Sequence, residues 1–277
     1  MFTAIPTFFG RILFFIYENI ANNNYGVALI IFAITTRFLM LPLALKQIKS
    51  SARMQELQPQ MQEIQKKYKN DREKLNQEMM KFYQEHKYNP MSGCLPILIQ
   101  MPIMISLFSV IRRPLTYMLR GYDSETITDL ISKVPEDILI RGYEELSAVS
   151  FHGIMDLSFL GVNLGLVPTW RPEIIFGTDT MRIYLPLFLI SVIAAITTYF
   201  SSKMMTAMRS KNDKKDKKDD PNAAMQKNMM LVAPFLTFFF SFQFPAGLGL
   251  YWTVGNLFQM VQQFLVNGVG KKNKKEA

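Results

Sequence analysis

Residues 25–45 read YGVALIIFAITTRFLMLPLAL, an apolar run that contains a single charged side chain, Arg37. A helix of about 20 apolar residues is long enough to cross the ~30 Å hydrocarbon core of a bilayer. Four similar runs follow, at residues 94–111, 183–202, 229–246 and 248–266. The last two are separated by FPAG at residues 244–247, where Pro and Gly predict a turn. The sequence therefore predicts an all-α polytopic membrane protein with five transmembrane helices.

The composition agrees with a membrane protein and excludes several other classes. The chain has 277 residues, 49% of them hydrophobic, and a net charge of +9, with charged and apolar residues sorted into separate blocks. Its single cysteine, Cys94, allows no intrachain disulfide and argues against a Cys/His zinc site. A disulfide-stapled secreted protein, a collagen-like chain and a soluble enzyme are therefore poor interpretations.

Basic residues predict the orientation of the spans. The segments 46–93, 203–228 and 267–277 carry 22 of the 31 Lys and Arg residues. Because basic loops stay in the cytoplasm, these segments are expected inside, with the N-terminus outside and the C-terminus cytoplasmic. The run 154–167 is short for a sixth span and contains Asp156, and counting it would place 203–228 outside. We expect it to be an interfacial or packed part of the outer loop 112–182.

Residues 5–20 form a shorter apolar run interrupted by Arg11 and Glu18. One interpretation is the core of a signal peptide, because a basic residue precedes the apolar stretch. The other is an amphipathic helix that lies in the membrane interface. Since no small-residue cleavage motif follows, we expect an N-terminal interfacial helix within residues 1–24.

The segment 46–93 is predicted to form a cytoplasmic helical hairpin. Apolar residues recur at helical spacing in two runs: Met54, Leu57, Met61, Ile64 and Tyr68, then Leu75, Met79 and Phe82. Asn70 and Glu73 resemble a capping box at the start of the second helix, and Pro59 suits the first turn of the first helix. The apolar stripe either closes the hairpin on itself or docks a partner, and both interpretations stay open.

Two further water-facing segments are rich in charge. Residues 209–220 have low complexity and are expected to be disordered. The tail Lys271–Lys275 is basic and is expected to contact anionic headgroups or ribosomal RNA, unless it only anchors the chain by the positive-inside rule. No segment resembles a DNA-binding domain.

Arg37 is the only formally charged residue within the five predicted spans, and no Asp or Glu lies there to pair with it. An Arg near the middle of a spanning helix costs about 2.5–3.5 kcal/mol on insertion scales. Two explanations are open: the guanidinium bonds to backbone carbonyls and hydroxyls between helices, or it lies in a water-filled pocket for polar cargo.

Other polar residues in the spans show helical spacing. The fifth span places Trp252, Asn256, Gln259 and Gln263 on one face, and the third places Ser191, Ala195, Thr198 and Ser202 on another. Thr35 and Thr36 adjoin Arg37, and Gln100 lies in the second span. Polar contacts between helices explain Ser and Thr well but account less well for Arg, Asn and Gln together. We therefore expect an inward hydrophilic cavity.

The sequence contains no recognisable catalytic constellation. Without intramembrane carboxylates, a proton- or sodium-driven carrier lacks its usual relay groups. His86 and His152 fall outside the spans, and the phosphate-loop, zinc-protease and nucleophile-elbow motifs are missing. His152 and Asp156 are expected to form a surface contact. We expect neither an enzyme nor a bound cofactor or metal.

The string NPMSGCLPILIQMPI at residues 89–103 resembles the YidC family of membrane protein insertases, which includes mitochondrial and chloroplast relatives. Further matches are Thr36-Arg37 with Pro42, LQP at 57–59, FPAGL at 244–248, LYW at 250–252 and NL at 256–257. The chain is similar to the short Gram-positive type, because the large outer domain of Gram-negative members does not precede the core. An N-terminal lipidated cysteine, usual in that type, is not found here.

The resemblance implies a five-helix core in a bacterial plasma membrane, with a groove open to the cytoplasm and to lipid. It implies that nascent membrane proteins are the substrates, handled alone or beside the Sec translocon. Arg37 would be the groove arginine, with Gln100, Trp252 and Asn256 as lining residues. The hairpin and basic tail would meet the Sec translocon, the ribosome and the signal recognition particle. Two competing functions are a small-solute channel or carrier and a structural chaperone for membrane assembly.

Overall fold

The computed structural model describes residues 3–88, 95–209 and 232–273 of the chain. The regular secondary structure of the described part is helical except for one short β-hairpin. In chain order its elements are α1 (Ala4–Asn19), α2 (Tyr25–Leu39), α3 (Leu41–Lys67), α4 (Arg72–Glu85), α5 (Leu95–Arg112), α6 (Pro114–Tyr117), α7 (Ser124–Ser132), α8 (Glu144–Phe151), β1 (Ser158–Phe159), β2 (Val162–Asn163), α9 (Pro172–Ile175), α10 (Met181–Arg209), α11 (Val232–Ser241) and α12 (Ala246–Asn273).

The first predicted span is broken, which corrects the expectation of one helix over residues 25–45. Helix α2 ends at Leu39, and the axis bends by 55° between Tyr25–Leu39 and Leu41–Ile48. Pro42 lies in the first turn of α3 and has no N–H to donate. In a straight helix the proline ring would also clash with the carbonyl four residues earlier, so the series of backbone hydrogen bonds of α2 ends here.

The predicted helical hairpin is formed by α3 and α4. The hairpin has a small apolar core, which consists of Leu57, Met61, Phe82 and Tyr88. Part of the apolar stripe therefore closes the hairpin on itself.

Two details of the predicted hairpin were wrong. Pro59 lies inside α3 rather than in a first turn, because α3 already begins at Leu41. The N-cap of α4 is Asp71, whose side chain accepts a hydrogen bond from the Lys74 N–H, rather than Asn70.

The bundle is arranged around α12, which packs against α10 on one side and α2 on the other. Helix α1 packs against α2 and α5. The largest fully buried side chains include Leu29, Phe32, Leu107, Leu187 and Tyr251, so the apolar core runs through the middle of these helices. As FPAG predicted, a turn separates α11 from α12.

The loop 112–182 contains α6 to α9 and the hairpin β1–β2, whose strands pair antiparallel. The run 154–167 therefore forms a packed hairpin rather than a helix. Its end is joined to the start of α12, since the Ala246 and Gly247 N–H groups donate to the carbonyls of Leu166 and Leu164, each at 2.9 Å. These bonds fix the first residues of α12.

The expected contact between His152 and Asp156 was wrong, because both side chains have other partners. His152 Nε2 lies 2.9 Å from the Leu130 carbonyl oxygen. Asp156 accepts a hydrogen bond from the Ser158 N–H at 2.9 Å, and bonding to Ser158 lowers the pKa of that carboxyl. The two side chains are therefore held by separate neighbours.

One described helix is long and apolar enough to cross a membrane, the stretch Met181–Met204 of α10, with a mean hydropathy of 2.0. The bent pair α2 and Leu41–Ile48 qualifies as a second if it is one broken span. Gln100–Arg112 and Val232–Ser241 are shorter apolar helices. The count of five spans stays a prediction.

Several predicted features fall on residues outside those described. They are residues 89–94 of the string NPMSGCLPILIQMPI, most of the low-complexity segment 209–220, the start of the span 229–246, and the end of the basic tail.

Candidate functional site

Arg37 lies in the last turn of α2, two residues before the helix ends at Leu39. The sequence placed it in the interior of a longer helix, and the break at Met40 corrects that placement. Carbonyl oxygens at a helix C-terminus lack intrahelical partners and carry the negative end of the helix dipole. A cation is therefore less costly to bury here than in the interior of a continuous span.

The guanidinium is half-buried and rests on the backbone of α12. A Cβ placed on Gly255 would lie 2.7 Å from Arg37 Nη2 and 3.1 Å from Nε, so the two helices meet through this side chain. Arg37 Nε is buried and has no hydrogen-bond partner among the described residues. The guanidinium is thus not sealed by protein oxygens on every side.

Tyr251 and Gln100 lie beside this cation. Tyr251, one turn before Gly255 on α12, is buried and lies near enough to Arg37 to interact with it electrostatically. The Gln100 Nε2 group of α5 donates a long hydrogen bond of 3.4 Å to the Tyr251 hydroxyl. Polar groups from α2, α5 and α12 therefore converge at one place in an otherwise apolar bundle.

Asn256 faces a different neighbour. Its Nδ2 group donates to the hydroxyls of Thr198 at 2.8 Å and Thr197 at 3.3 Å, both on α10. Each threonine hydroxyl also donates to a carbonyl of its own helix. Asn256 and Thr198 therefore join α12 to α10, and their polar groups already have partners.

The remaining candidate residues are placed as follows. Thr36 is buried and its hydroxyl donates to the Ala33 carbonyl at 2.9 Å within α2. Trp252 is half-buried and packs edge-to-face on Phe244, with ring centroids 6.4 Å apart. Gln259 is half-buried on α12. Gln263 is buried, and its Oε1 atom has no partner among the described residues.

Sequence reasoning missed Tyr251 and Gly255 as members of the site. The sequence did contain a signal for Gly255. One explanation for an isolated Gly within a helix is that another group approaches the backbone closely at that position. Tyr251 was quoted only as part of the LYW match. Its contact with Gln100 depends on how α5 and α12 cross, which the spacing of residues along one helix does not determine.

Metal chemistry finds no support in the part of the chain that the structure describes. No group of three or more His, Cys, Asp or Glu side chains is arranged there to hold a metal ion. The polar cluster at Arg37 consists of a cation, a phenol and an amide, which bind and orient polar groups.

Comparison with known proteins decides the family. The profile of the family described as "60Kd inner membrane protein" matches residues 15–275. A membrane protein insertase YidC from Clostridium perfringens is 35% identical over 254 residues, covering 91% of this chain and 83% of the relative. The chain belongs to the YidC family of membrane protein insertases.

Alignments with two further relatives in the YidC family cover most of this chain and most of each relative. The membrane protein insertase MisCA of Bacillus subtilis is 32% identical, covering 93% of this chain and 76% of the relative. A membrane protein insertase YidC of Caldanaerobacter subterraneus is 29% identical and covers 95% and 93%. The resemblance noted from the sequence motifs is confirmed. The relatives named here are bacterial membrane protein insertases, and insertases of this family are not enzymes.

Proposed function

We propose that the chain inserts nascent membrane proteins by admitting their polar segments to a hydrophilic groove that contains Arg37. The polar stretch of the client leaves the cytoplasm through this groove and does not meet bare hydrocarbon. The apolar stretch slides into lipid through a lateral opening, and its burial in the bilayer supplies the free energy. No covalent step is involved.

The observation that carries the proposal is the state of the Arg37 guanidinium. It is half-buried, its Nε lacks a partner among the described residues, and the predicted spans hold no Asp or Glu. An unpaired cation in a medium of low dielectric attracts a carboxylate more strongly than the same cation in water. An acidic residue in the client's polar segment therefore meets a lower desolvation cost beside Arg37.

The proposed orientation places the N-terminus outside and the hairpin, the loop 203–228 and the C-terminal tail in the cytoplasm. The support is the distribution of Lys and Arg, with 22 of 31 in these segments. In this orientation the hairpin and the tail are where the Sec translocon, the ribosome and the signal recognition particle would be met. The five-span arrangement belongs to the same proposal.

The test is insertion into proteoliposomes of two client proteins that differ only in the charge of the translocated segment. We expect Arg37→Ala to lower insertion of the acidic client several-fold and to leave the neutral client nearly unchanged. Arg120→Ala, which removes an exposed cation from the outer loop, is the matched control and should leave both clients unchanged. Equal insertion of both clients by Arg37→Ala would refute the electrostatic role.

Two further measurements separate the competing functions. Photocrosslinking from position 37 to a stalled nascent chain tests whether the client passes the cation, and a small-solute channel predicts solute flux and no crosslink. Deletion of residues 54–82 tests the role as a docking platform. If the groove is central, insertion should fall modestly, and if docking alone matters, insertion should be abolished.

A further inference from the structure

The backbone at Gly255 lies so close to Arg37 that a residue with a Cβ atom would not fit there without a shift. The three atoms nearest to a Cβ built on Gly255 are Arg37 Nη2, Nε and Cζ, at 2.7, 3.1 and 3.3 Å. Cβ atoms in proteins do not approach other heavy atoms to 2.7 Å, so an Ala at this position requires the guanidinium to move. We propose that Gly255 is a positioning residue for the Arg37 guanidinium, a role that rests on the proposed function above.

The helices themselves are held on both sides of this contact. Phe38 of α2 packs edge-to-face on Phe258 of α12, with ring centroids 5.0 Å apart. Toward the outer side, Phe32 of α2 packs against Tyr251 of α12 at 6.3 Å. Because these aromatic contacts fix the distance between α2 and α12, a methyl group at position 255 displaces the flexible end of Arg37 rather than the backbone.

Stability and function are therefore expected to respond in opposite directions to Gly255→Ala. Ala is favoured over Gly in the interior of a helix, so the variant should unfold at or above the melting temperature of the unmodified protein. The displaced guanidinium lies farther from a carboxylate held in the groove. A purely structural role for Gly255 predicts loss of stability together with loss of function.

The size of the effect follows from Coulomb's law. At an effective dielectric constant of about 20, moving a cation from about 4 Å to about 5 Å from a carboxylate weakens their attraction enough to lower the binding constant about fourfold. We therefore expect Gly255→Ala to lower insertion of the acidic client about fourfold and to leave the neutral client unchanged.

Gly249 supplies the matched control because it lies on the same helix and faces α10. A Cβ there would lie 3.1 Å from Ile190 Cγ2 and does not meet Arg37. Gly249→Ala makes the same chemical change in the same helix, and it should leave the ratio of acidic to neutral insertion unchanged. A similar fall in that ratio for both glycine variants would overturn the proposal.

Double variants test whether Gly255 acts through Arg37. The ammonium of Lys lacks the planar fork of the guanidinium and leaves room for a methyl group. Gly255→Ala should therefore have no effect on insertion in an Arg37→Lys or an Arg37→Ala background. The same fourfold loss in either background would show that Gly255 acts elsewhere, which would refute the proposal.

A structural measurement separates this proposal from the proposed function. Solvent exchange of the Arg37 Nε–H, followed by nuclear magnetic resonance in nanodiscs, should become faster in Gly255→Ala and stay unchanged in Gly249→Ala. Faster exchange in Gly255→Ala, combined with equal insertion of both clients by Arg37→Ala, would retain the positioning role and refute the electrostatic function. Unchanged exchange in Gly255→Ala would refute the positioning role whatever the insertion assay shows.

Discussion

Asn256→Leu is expected to loosen the contact between α12 and α10 without unfolding the protein. The change removes an amide that donates to Thr198 at 2.8 Å and to Thr197 at 3.3 Å, and it keeps the volume of the side chain. The first distance is that of a full hydrogen bond and the second is long. Hydrogen bonds between membrane helices contribute about 0.6 kcal/mol on average and at most about 1.7 kcal/mol.

The threonines limit the loss further. Thr197 and Thr198 donate to carbonyls of their own helix at 2.8 Å, so no buried donor is left without an acceptor when Asn256 is removed. The penalty for an unsatisfied group, about 1–3 kcal/mol, therefore does not apply. We expect a loss of about 1 kcal/mol from the free energy of unfolding, which corresponds to a fall in melting temperature of about 2–4 °C.

The assay is thermal unfolding of the purified protein in detergent. Thr253→Val is the control, because the Thr253 hydroxyl donates to the Gly249 carbonyl within α12 and joins no second helix. Thr198→Val should destabilise more than Asn256→Leu, since it leaves the Asn256 amide with only its long contact. If Asn256→Leu melts no lower than Thr253→Val, or Thr198→Val proves the milder change, the assignment of Asn256 to the α10–α12 contact is wrong.

Three other changes test the loop 112–182, helix α1 and the hairpin of α3 and α4. Burial raises the pKa of Tyr143 to about 12, so its hydrogen bond to the Gln243 carbonyl stabilises the fold below pH ~10 and is lost as the pH rises to ~12. Tyr143→Phe should remove that part of a pH–stability profile. Gly10→Ala should cost about 1–3 kcal/mol, measured by thermal unfolding, because its Cβ would clash with the Tyr117 backbone oxygen. Asp71→Ala removes the N-cap of α4 and should cost about 1 kcal/mol of hairpin stability, measured by hydrogen exchange in α4.

The sequence predicted the helices better than it predicted where the first span ends. The apolar run over residues 25–45 suggested one helix, although Pro42 was a visible reason for a break. Length and hydropathy outweighed that local signal. The predicted N-cap Asn70 was wrong by one residue, because Asn and Asp both cap helices and the sequence does not show which of two neighbours bonds to the first free N–H.

Which predicted polar residues lie near one another is only partly visible in the sequence. Arg37 and Gln100 both lie near Tyr251, which accepts a hydrogen bond from Gln100 and interacts electrostatically with Arg37. Asn256 and Thr198 were expected to line a cavity, and their polar groups instead bond to each other. Helical periodicity shows which residues share a face, but it does not show which helix packs on that face. The three-dimensional structure was therefore needed to show which residues of α12 contact α2 and which contact α10.

The position of Arg37 in the last turn of α2 lowers the cost of burying a cation for which the five predicted spans hold no carboxylate. A helix C-terminus stabilises a partly buried cation by up to about 2 kcal/mol. The cost of placing Arg in a span is about 2.5–3.5 kcal/mol on insertion scales, so part of the cost stays uncompensated. A built-in Asp or Glu would remove the remainder, but it would also occupy the guanidinium permanently. Under the proposed function, a cation left incompletely satisfied stays available for the carboxylate of a passing client, and it would release that client more readily than a full ion pair.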